Sequence, residues 1–395
     1  MRCQKKLLFL LTTTKTKKMI KKFFGTAIIT FVTMQTLFAQ DSTKSLTISG
    51  SVDGYYRYNF SNASGNSNNK TSFTNSQNSF ALGMATIKAD ATALSGKVTA
   101  TADLGFGTRA EEFSYYESGT KSTLALVKQL YITYALSRNV KLTAGKFATH
   151  VGYEVVDAPL NRNYSMSYMF TNGPFSHTGV KMDVTAGPVG FMVGVANFID
   201  QTTSTTSTKT LIAQFSGGSK NGKLKAYLNY AGFFGSSKEG ANPTYGVVYN
   251  AASFPIGYVG LKSLSQFDLV VNATLTDKFG IGFNATTQSR QQIFGSLSSS
   301  GSWQGYALYL NLDPTPAVGL TLRSEYISDS KLIFLGAFGA KSIFANTLSL
   351  NYKVGPFTLI PELRFENAQS EIYIKNDGTG STSTVTGLLA AVYKF

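Results

Sequence analysis

Cysteine is almost missing from this chain: Cys3 is the single one. It falls in a stretch that reads as a leader, so the mature chain is expected to hold no disulfide and no cysteine metal site. Histidine occurs twice, at His150 and His177, flanking one long loop. Without a carboxylate trio beside them they make a poor metal centre. Charge is scarce, with Asp, Glu, Lys and Arg at 14%. After the leader no apolar run reaches helical spanning length, which argues against a helical membrane protein. No linker, Pro-rich stretch or charge block divides the chain. A phosphate loop, a dinucleotide fingerprint and a G-x-S-x-G elbow are all missing, so no cofactor is expected. An outer-membrane enzyme is a weak alternative that would rest on His177 alone.

The excess of basic residues is mostly a property of the leader. Residues 1–39 carry eight Lys/Arg and no acid, and Met19 to Lys22 precede an apolar run from Phe23 to Phe38. That order reads as a cleaved signal peptide over residues 1–39, with Met19 the better start, followed by one unit over 40–395. The full count is 36 basic and 21 acidic residues. Without the leader it becomes 36 − 8 = 28 against 21, a net of +7. Nucleic-acid binding thereby loses its main support, and no nucleic acid is expected as partner.

Alternation dominates the remainder. In "LTISGSVDGYYRYNF", Leu46, Ile48, Val52, Tyr56, Tyr58 and Phe60 share one parity, while Asp53 and Arg57 share the other. A period of two with one apolar and one polar face means strand. Sixteen such segments lie near 46–60, 79–91, 97–106, 123–136, 139–148, 177–187, 189–199, 208–217, 222–234, 264–275, 278–291, 301–312, 318–328, 342–354, 356–367 and 383–395. Lys128 and Lys146 fall on the apolar parity, and the second strand switches face near Ile87, which predicts bulges. Short Gly/Pro/Asn/Asp turns alternate with long connections at 61–78, 107–122, 149–176, 200–207, 235–263, 292–300, 329–341 and 368–382. All turns then lie at one end and all loops at the other.

Aromatics gather at the strand ends, among them Phe80, Phe106, Phe233, Trp303 and Phe365 at the loop end and Phe279, Tyr352, Phe357, Tyr393 and Phe395 at the turn end. Two aromatic girdles around an aliphatic band match a bilayer, where a sheet must close on itself. The fold expected is all-β: a transmembrane antiparallel up-and-down barrel of about sixteen strands. It would have short periplasmic turns, long extracellular loops and outer-membrane lipid around it. The chain ends on "AAVYKF"; the last strand would pair with the first, placing Tyr393 and Phe395 in the periplasmic girdle as a signal to the barrel-assembly machinery.

"GKF" at 145–147, "NRNYSMSYMF" at 161–170, "GPFSHTGV" at 173–180 and the closing Phe395 resemble outer-membrane β-barrel porins of the OmpL-like class. The resemblance implies a porin-like barrel and names no solute.

The polar parity is expected to line a lumen with Asp53, Arg57, Asp103, Lys181, Asp183, Arg290, Arg323, Glu325, Glu362 and Arg364. The leading reading is a passive channel for small hydrophilic solutes or ions, with a homo-oligomer, such as a trimer, as a further association. The rival is a surface-display or adhesion barrel with a plugged lumen. Lys97, Lys141, Lys223, Lys225, Lys278, Lys353 and Lys394 crowd the turn end, which predicts weak anion preference. Loop 149–176, with Glu154, Asp157 and Arg162 and much apolar bulk, is expected either to fold into the lumen or to pack outward on other loops. Folded inward, its acids would face Arg57, Arg290, Arg323 and Arg364 across a constriction and set up a transverse field.

Overall fold

The computed structural model describes residues 44–63, 67–115, 123–204, 207–234, 242–245, 259–294, 297–329, 331 and 339–395. The leader lies outside the described residues. Sixteen long strands form one antiparallel sheet: β1 Ser45–Asn59, β2 Ser79–Ala93, β3 Val98–Phe106, β4 Val127–Ala135, β5 Val140–Ala148, β6 Ser176–Ala186, β7 Val189–Ala196, β8 Thr210–Gly218, β9 Leu224–Phe234, β10 Val259–Thr274, β11 Phe279–Phe294, β12 Leu297–Thr315, β13 Val318–Ser328, β14 Ser342–Val354, β15 Phe357–Ala368 and β16 Ser383–Lys394. Each pairs with its neighbours in sequence, and β16 pairs with β1 from Ser51↔Lys394 to Asn59↔Thr386, closing a barrel. Closure leaves no sheet edge unpaired, which hydrocarbon requires.

All sixteen expected strands are present, with three differences at the loop end. Thr123–Leu126, expected to open the fourth strand, is a single 3-10 turn, and β4 begins at Val127. The connection read as a long loop over 292–300 is mostly strand, because β11 runs to Phe294 and β12 starts at Leu297. Within 235–263, β10 begins at Val259, and a short strand, Asn242–Tyr245, pairs on it. Polar alternation there resembles loop composition, yet the ladder continues.

The barrel is inside-out relative to a water-soluble protein. Its outer face exposes Leu46, Ile48, Leu82, Ile132, Leu269, Leu308, Leu348 and Leu363, while Asp103, Asp268, Arg323 and Arg364 are buried. An apolar exterior of this extent is stable against lipid and not against water. Phe80, Phe106, Phe365, Tyr352, Phe357 and Tyr393 stand outward at the two ends, as girdles. Trp303 and Phe233 do not join them: both point inward, 1% and 2% exposed. Trp303 donates from Nε1 to Gln288 Oε1 at 3.1 Å. Their inward parity gives each ring a packing partner inside the barrel.

Two irregularities re-aim side chains. Opposite Asp53 the register shifts between Val52 and Gly54, so that Gly83 and Met84 lie within the break in β2. This is the expected face switch, three residues ahead of Ile87. A second shift between Asp103 and Leu104 skips Lys128 and turns it inward, where it is 2% exposed. Lys146 is buried as well, but its pairings to β4 and β6 run without a register shift, so the bulge expected there is absent; it lies near enough to Asp200 for its charge to favour that carboxylate. The last strand ends in a fixed contact: Gly50 N donates to Phe395 O and Phe395 N to Gly50 O, each 3.0 Å. A Cβ on Gly50 would lie 2.5 Å from the Phe395 ring and 2.3 Å from Thr86 O, so only glycine fits beneath the closing residue.

Candidate functional site: the lumen and its inward loop

Loop L3, residues 149–175, folds into the lumen. The apolar bulk that made it unfit for water is buried there: Tyr164, Met166, Tyr168, Met169 and Phe170 are all at most 6% exposed. It contains a tight turn, Ala158–Leu160, and a short helix α2, Tyr168–Asn172, whose first turn is capped by the Ser167 hydroxyl accepting from Phe170 N. (The helix α1, Thr108–Phe113, sits in the preceding long loop and precedes α2 in chain order.) Buried backbone needs partners, and the wall supplies them. Near its root, Gly152 N donates to Asp268 at 3.0 Å, and Tyr153 stacks on Tyr309 with centroids 3.9 Å apart. Further on, Asn163 donates to Ser349, Tyr164 N to Glu362 and Tyr168 N to Glu325, at 2.7 to 2.8 Å.

The charges expected to line open water mostly hold this loop. Arg323 pairs with Glu154 at 2.6 Å and with Glu325 at 3.2 Å; Arg364 pairs with Glu325 and Glu366, both at 3.0 Å. The four wall residues come from two R-x-E stretches, Arg323-Ser324-Glu325 on β13 and Arg364-Phe365-Glu366 on β15. Period two puts each Arg and Glu on the lumen face, and Thr347 on the strand between accepts from both arginines. Arg323 also donates to Ser165 O and Arg364 to Met166 O. Glu362 accepts from Tyr164 and Ser165, and Asp53 accepts from Tyr164 Oη at 2.5 Å. Arg57 donates to Ser67 O and Ser76 O of the first long loop. Arg290 is 8% exposed on β11.

The transverse field is corrected by this geometry. Glu154 does not face arginine across a gap; it touches Arg323, and both are nearly fully buried. Asp157 pairs with Lys128 at 2.5 Å, and Lys128 also reaches Asp103 at 3.2 Å. Arg162 pairs with Asp313 at 2.6 Å. Opposite charges in contact cancel at a distance, so little field is left to order a passing solute. From Lys128 on β4 to Asp313 on β12, L3 is tied to both sides of the barrel.

Other loops complete the filling. Arg109 of α1 donates to Val156 O and Tyr164 O of L3, both at 3.2 Å, and lies over the Phe73 and Tyr164 rings. Phe73, Met84, Phe113, Val156, Met166, Phe170 and Phe175 form a common apolar cluster. Two carboxylates fasten these loops from outside the strands. Glu112 accepts from Phe73 N and Asn75, and burial pushes its pKa up to about 7. Asp200 accepts from Phe175 N, Ser176 N and Tyr115, and burial raises it to about 6. The His150 and His177 rings are 5.3 Å apart; His150 bonds Tyr230 O and His177 bonds Thr149 Oγ1. Burial holds the His150 pKa near 4, so the ring is neutral at neutral pH. Among the described residues no three His, Cys, Asp or Glu group as metal ligands.

One flank holds open space. A cavity of about 690 Å³ runs along β5, lined from Asn139 and Lys141 at the turn end to Phe147 and Ala148 at the loop end. Asp90, Arg138, Lys181 and Asp183 add its other charges. Lys181 and Asp183 pair at 3.0 Å with partial exposure, and Lys181 lies 5.4 Å from the Phe147 ring. Of the ten wall charges singled out from sequence, these two alone line this cavity. Lys128, Asp268, Asp313 and Glu366 escaped the sequence reading as anchors. The parity break at Lys128 was the one available signal, while the others needed the position of L3.

A family model described as "Putative beta-barrel porin-2, OmpL-like" matches residues 45–395. No curated protein matches the chain in sequence. Among solved structures, the outer membrane channel DcaP of Acinetobacter baumannii superposes with a TM-score of 0.58 at 14% identity, covering 89% of this chain and 97% of that one. The anion-selective porin from Comamonas acidovorans gives 0.55 at 11%, covering 89% and 100%. The trimer form of OmpT from Vibrio cholerae gives 0.55 at 11%, covering 89% and 99%. At such identities these likenesses speak to the fold.

Proposed function

Because the chain belongs to the OmpL-like β-barrel porin family and is an outer-membrane porin-like channel, we propose that small hydrophilic solutes and ions cross it passively along the β5 flank. One observation carries this reading: L3 packs mostly on β10 and β12–β16 and reaches β1 and β4 by single polar contacts, while a cavity of about 690 Å³ follows β5 from its turn end to its loop end. Family and fold point to a channel without enzymatic chemistry. Three cations, Arg138, Lys141 and Lys181, oppose two acids, Asp90 and Asp183, along the cavity. That excess favours weak anion preference, screened by salt over about 10 Å at 0.1 M. Export through a cleaved signal peptide, recognition of Phe395 by the assembly machinery and a homotrimer in the membrane belong to the same reading.

The packing of three loops in the lumen favours the second reading, a plugged barrel that displays its loops. Conductance separates the two. Purified protein in planar bilayers should give discrete open steps, with a reversal potential on the anion side in a salt gradient. Deleting residues 154–172 should enlarge the steps severalfold. Wild type that never opens, together with a conducting deletion variant, would establish the plug instead.

A further inference from the structure

L3 also closes a second, smaller space. Beneath it at the turn end lies a pocket of about 260 Å³. Pro159 and Leu160 of the tight turn form one side; Asn351, Pro356 and Thr358, backed by the buried Ile360 and Val392, form the wall side. Arg162, Lys353 and Lys394 stand around it, and among the described residues no acid lines it. Arg162 is already committed to Asp313 by two hydrogen bonds, at 3.0 and 2.6 Å. Lys353 and Lys394 make no salt bridge among the described residues, although Lys353 stands near enough to Asp313 to act on its charge, and both are exposed on the lumen parity of β14 and β16. Leu160 is 71% exposed although it sits inside a polar lumen.

We propose that this pocket binds a small organic carboxylate with an apolar body, entering from the periplasmic mouth. A concave site with apolar walls and a few convergent polar groups is the ordinary form of a small-molecule site. Here the two ammonium groups take the carboxylate, and Leu160, Pro159 and Pro356 take the body. A simple inorganic anion would leave the exposed Leu160 and Pro356 wet, and a neutral aromatic would leave both lysines without a counter-charge from the ligand. A sugar, though Asn351 and Thr358 could meet its hydroxyls, would bring no negative charge to the two ammonium groups. The pocket is walled by β14–β16 and the tip of L3, away from the β5 flank. The proposal therefore goes beyond the permeation reading and does not depend on it.

The test uses the purified full-length barrel in detergent, with benzoate as probe and empty micelles as blank, read by isothermal titration. Benzoate should bind saturably at one site, while inorganic phosphate and benzyl alcohol bind about tenfold more weakly or not at all, a difference of roughly 1.4 kcal/mol. Lys353→Gln with Lys394→Gln should weaken benzoate at least tenfold. Leu160→Ser, far from the lysines in sequence and on the loop side, should weaken it severalfold with phosphate unchanged. Folding of each variant is read from the heat-dependent shift in its gel mobility. Absence of saturable benzoate binding to folded wild type overturns the proposal. So does equal binding of phosphate, which would reduce the site to charge attraction, or unchanged affinity in both variants. Channel conductance measured on the same preparations reports separately on permeation.

Discussion

Glu112 shows how a single half-buried carboxylate can tie two loops together. Its Oε2 takes the Phe73 amide at 2.8 Å and Asn75 at 3.1 Å, and burial raises its pKa from 4.5 to about 7. A carboxyl with a raised folded value binds its proton more tightly in the docked state. The contact is therefore at full strength below pH 4.5 and weakens as pH rises through about 7. Proteolysis within the loop 60–78 should be faster at pH 8 than at pH 5, after correction for the protease's own pH dependence. Glu112→Gln, which stays neutral, should remove that difference; a pH effect that survives the substitution would assign it to another group. Arg323 has a different part, being fully buried between Glu154 and Glu325, where it fixes geometry.

At the scale of elements, L3 owes its position to a bulge as much as to its own sequence. The skipped residue in β4 aims Lys128 at Asp103 and Asp157 together, a bond that no regular strand would offer. Removing one partner of a buried ion pair costs about 3–5 kcal/mol, because the remaining charge loses its match. Lys128→Met should therefore free the Asp157 segment from β4 and leave two acids beside the passage. The reversal potential should move toward cations and single-channel conductance should rise. Unchanged selectivity would mean that Asp103 and Asp157 remain shielded from the path. The R-x-E stretches on β13 and β15 act in the same way from the other side, since alternation alone delivers their four charges to one face.

For the whole molecule, stability depends on closing the sheet. Gly50 and Phe395 exchange two backbone bonds at the seam, and the Phe395 ring covers the place where a Cβ on Gly50 would be. Gly50→Val should lower the fraction of barrel recovered folded from outer membranes, measured by its heat-dependent gel mobility. Recovery equal to wild type would show that the seam tolerates displacement of Phe395. The inward face of β16 adds a second hold. Leu388, Ala390 and Val392 pack with Tyr55, Tyr164 and Ile360, so the last strand is apolar on both faces. This explains why "LLAAVYKF" lacks the polar alternation seen elsewhere: one face meets lipid and the other meets L3.

By itself the sequence determined the barrel. Strand number, short turns, long loops, girdles and closure all follow from a period of two, which backbone geometry imposes on any sheet with two unlike faces. It also marked L3 as a loop too apolar to remain in water, and it flagged Lys128 as out of phase. Only the tertiary structure decided what the lumen charges do. Parity says that Arg57, Arg323, Glu325, Glu362 and Arg364 point inward, but inward is water or protein depending on where L3 lies. That position rests on contacts between residues 150 to 200 apart in sequence, such as Glu154 with Arg323 and Tyr168 with Glu366. No local pattern records a contact of that range. For the same reason the open flank along β5 and the pocket under Leu160 were invisible in the sequence, because each is the space that the folded loop leaves over.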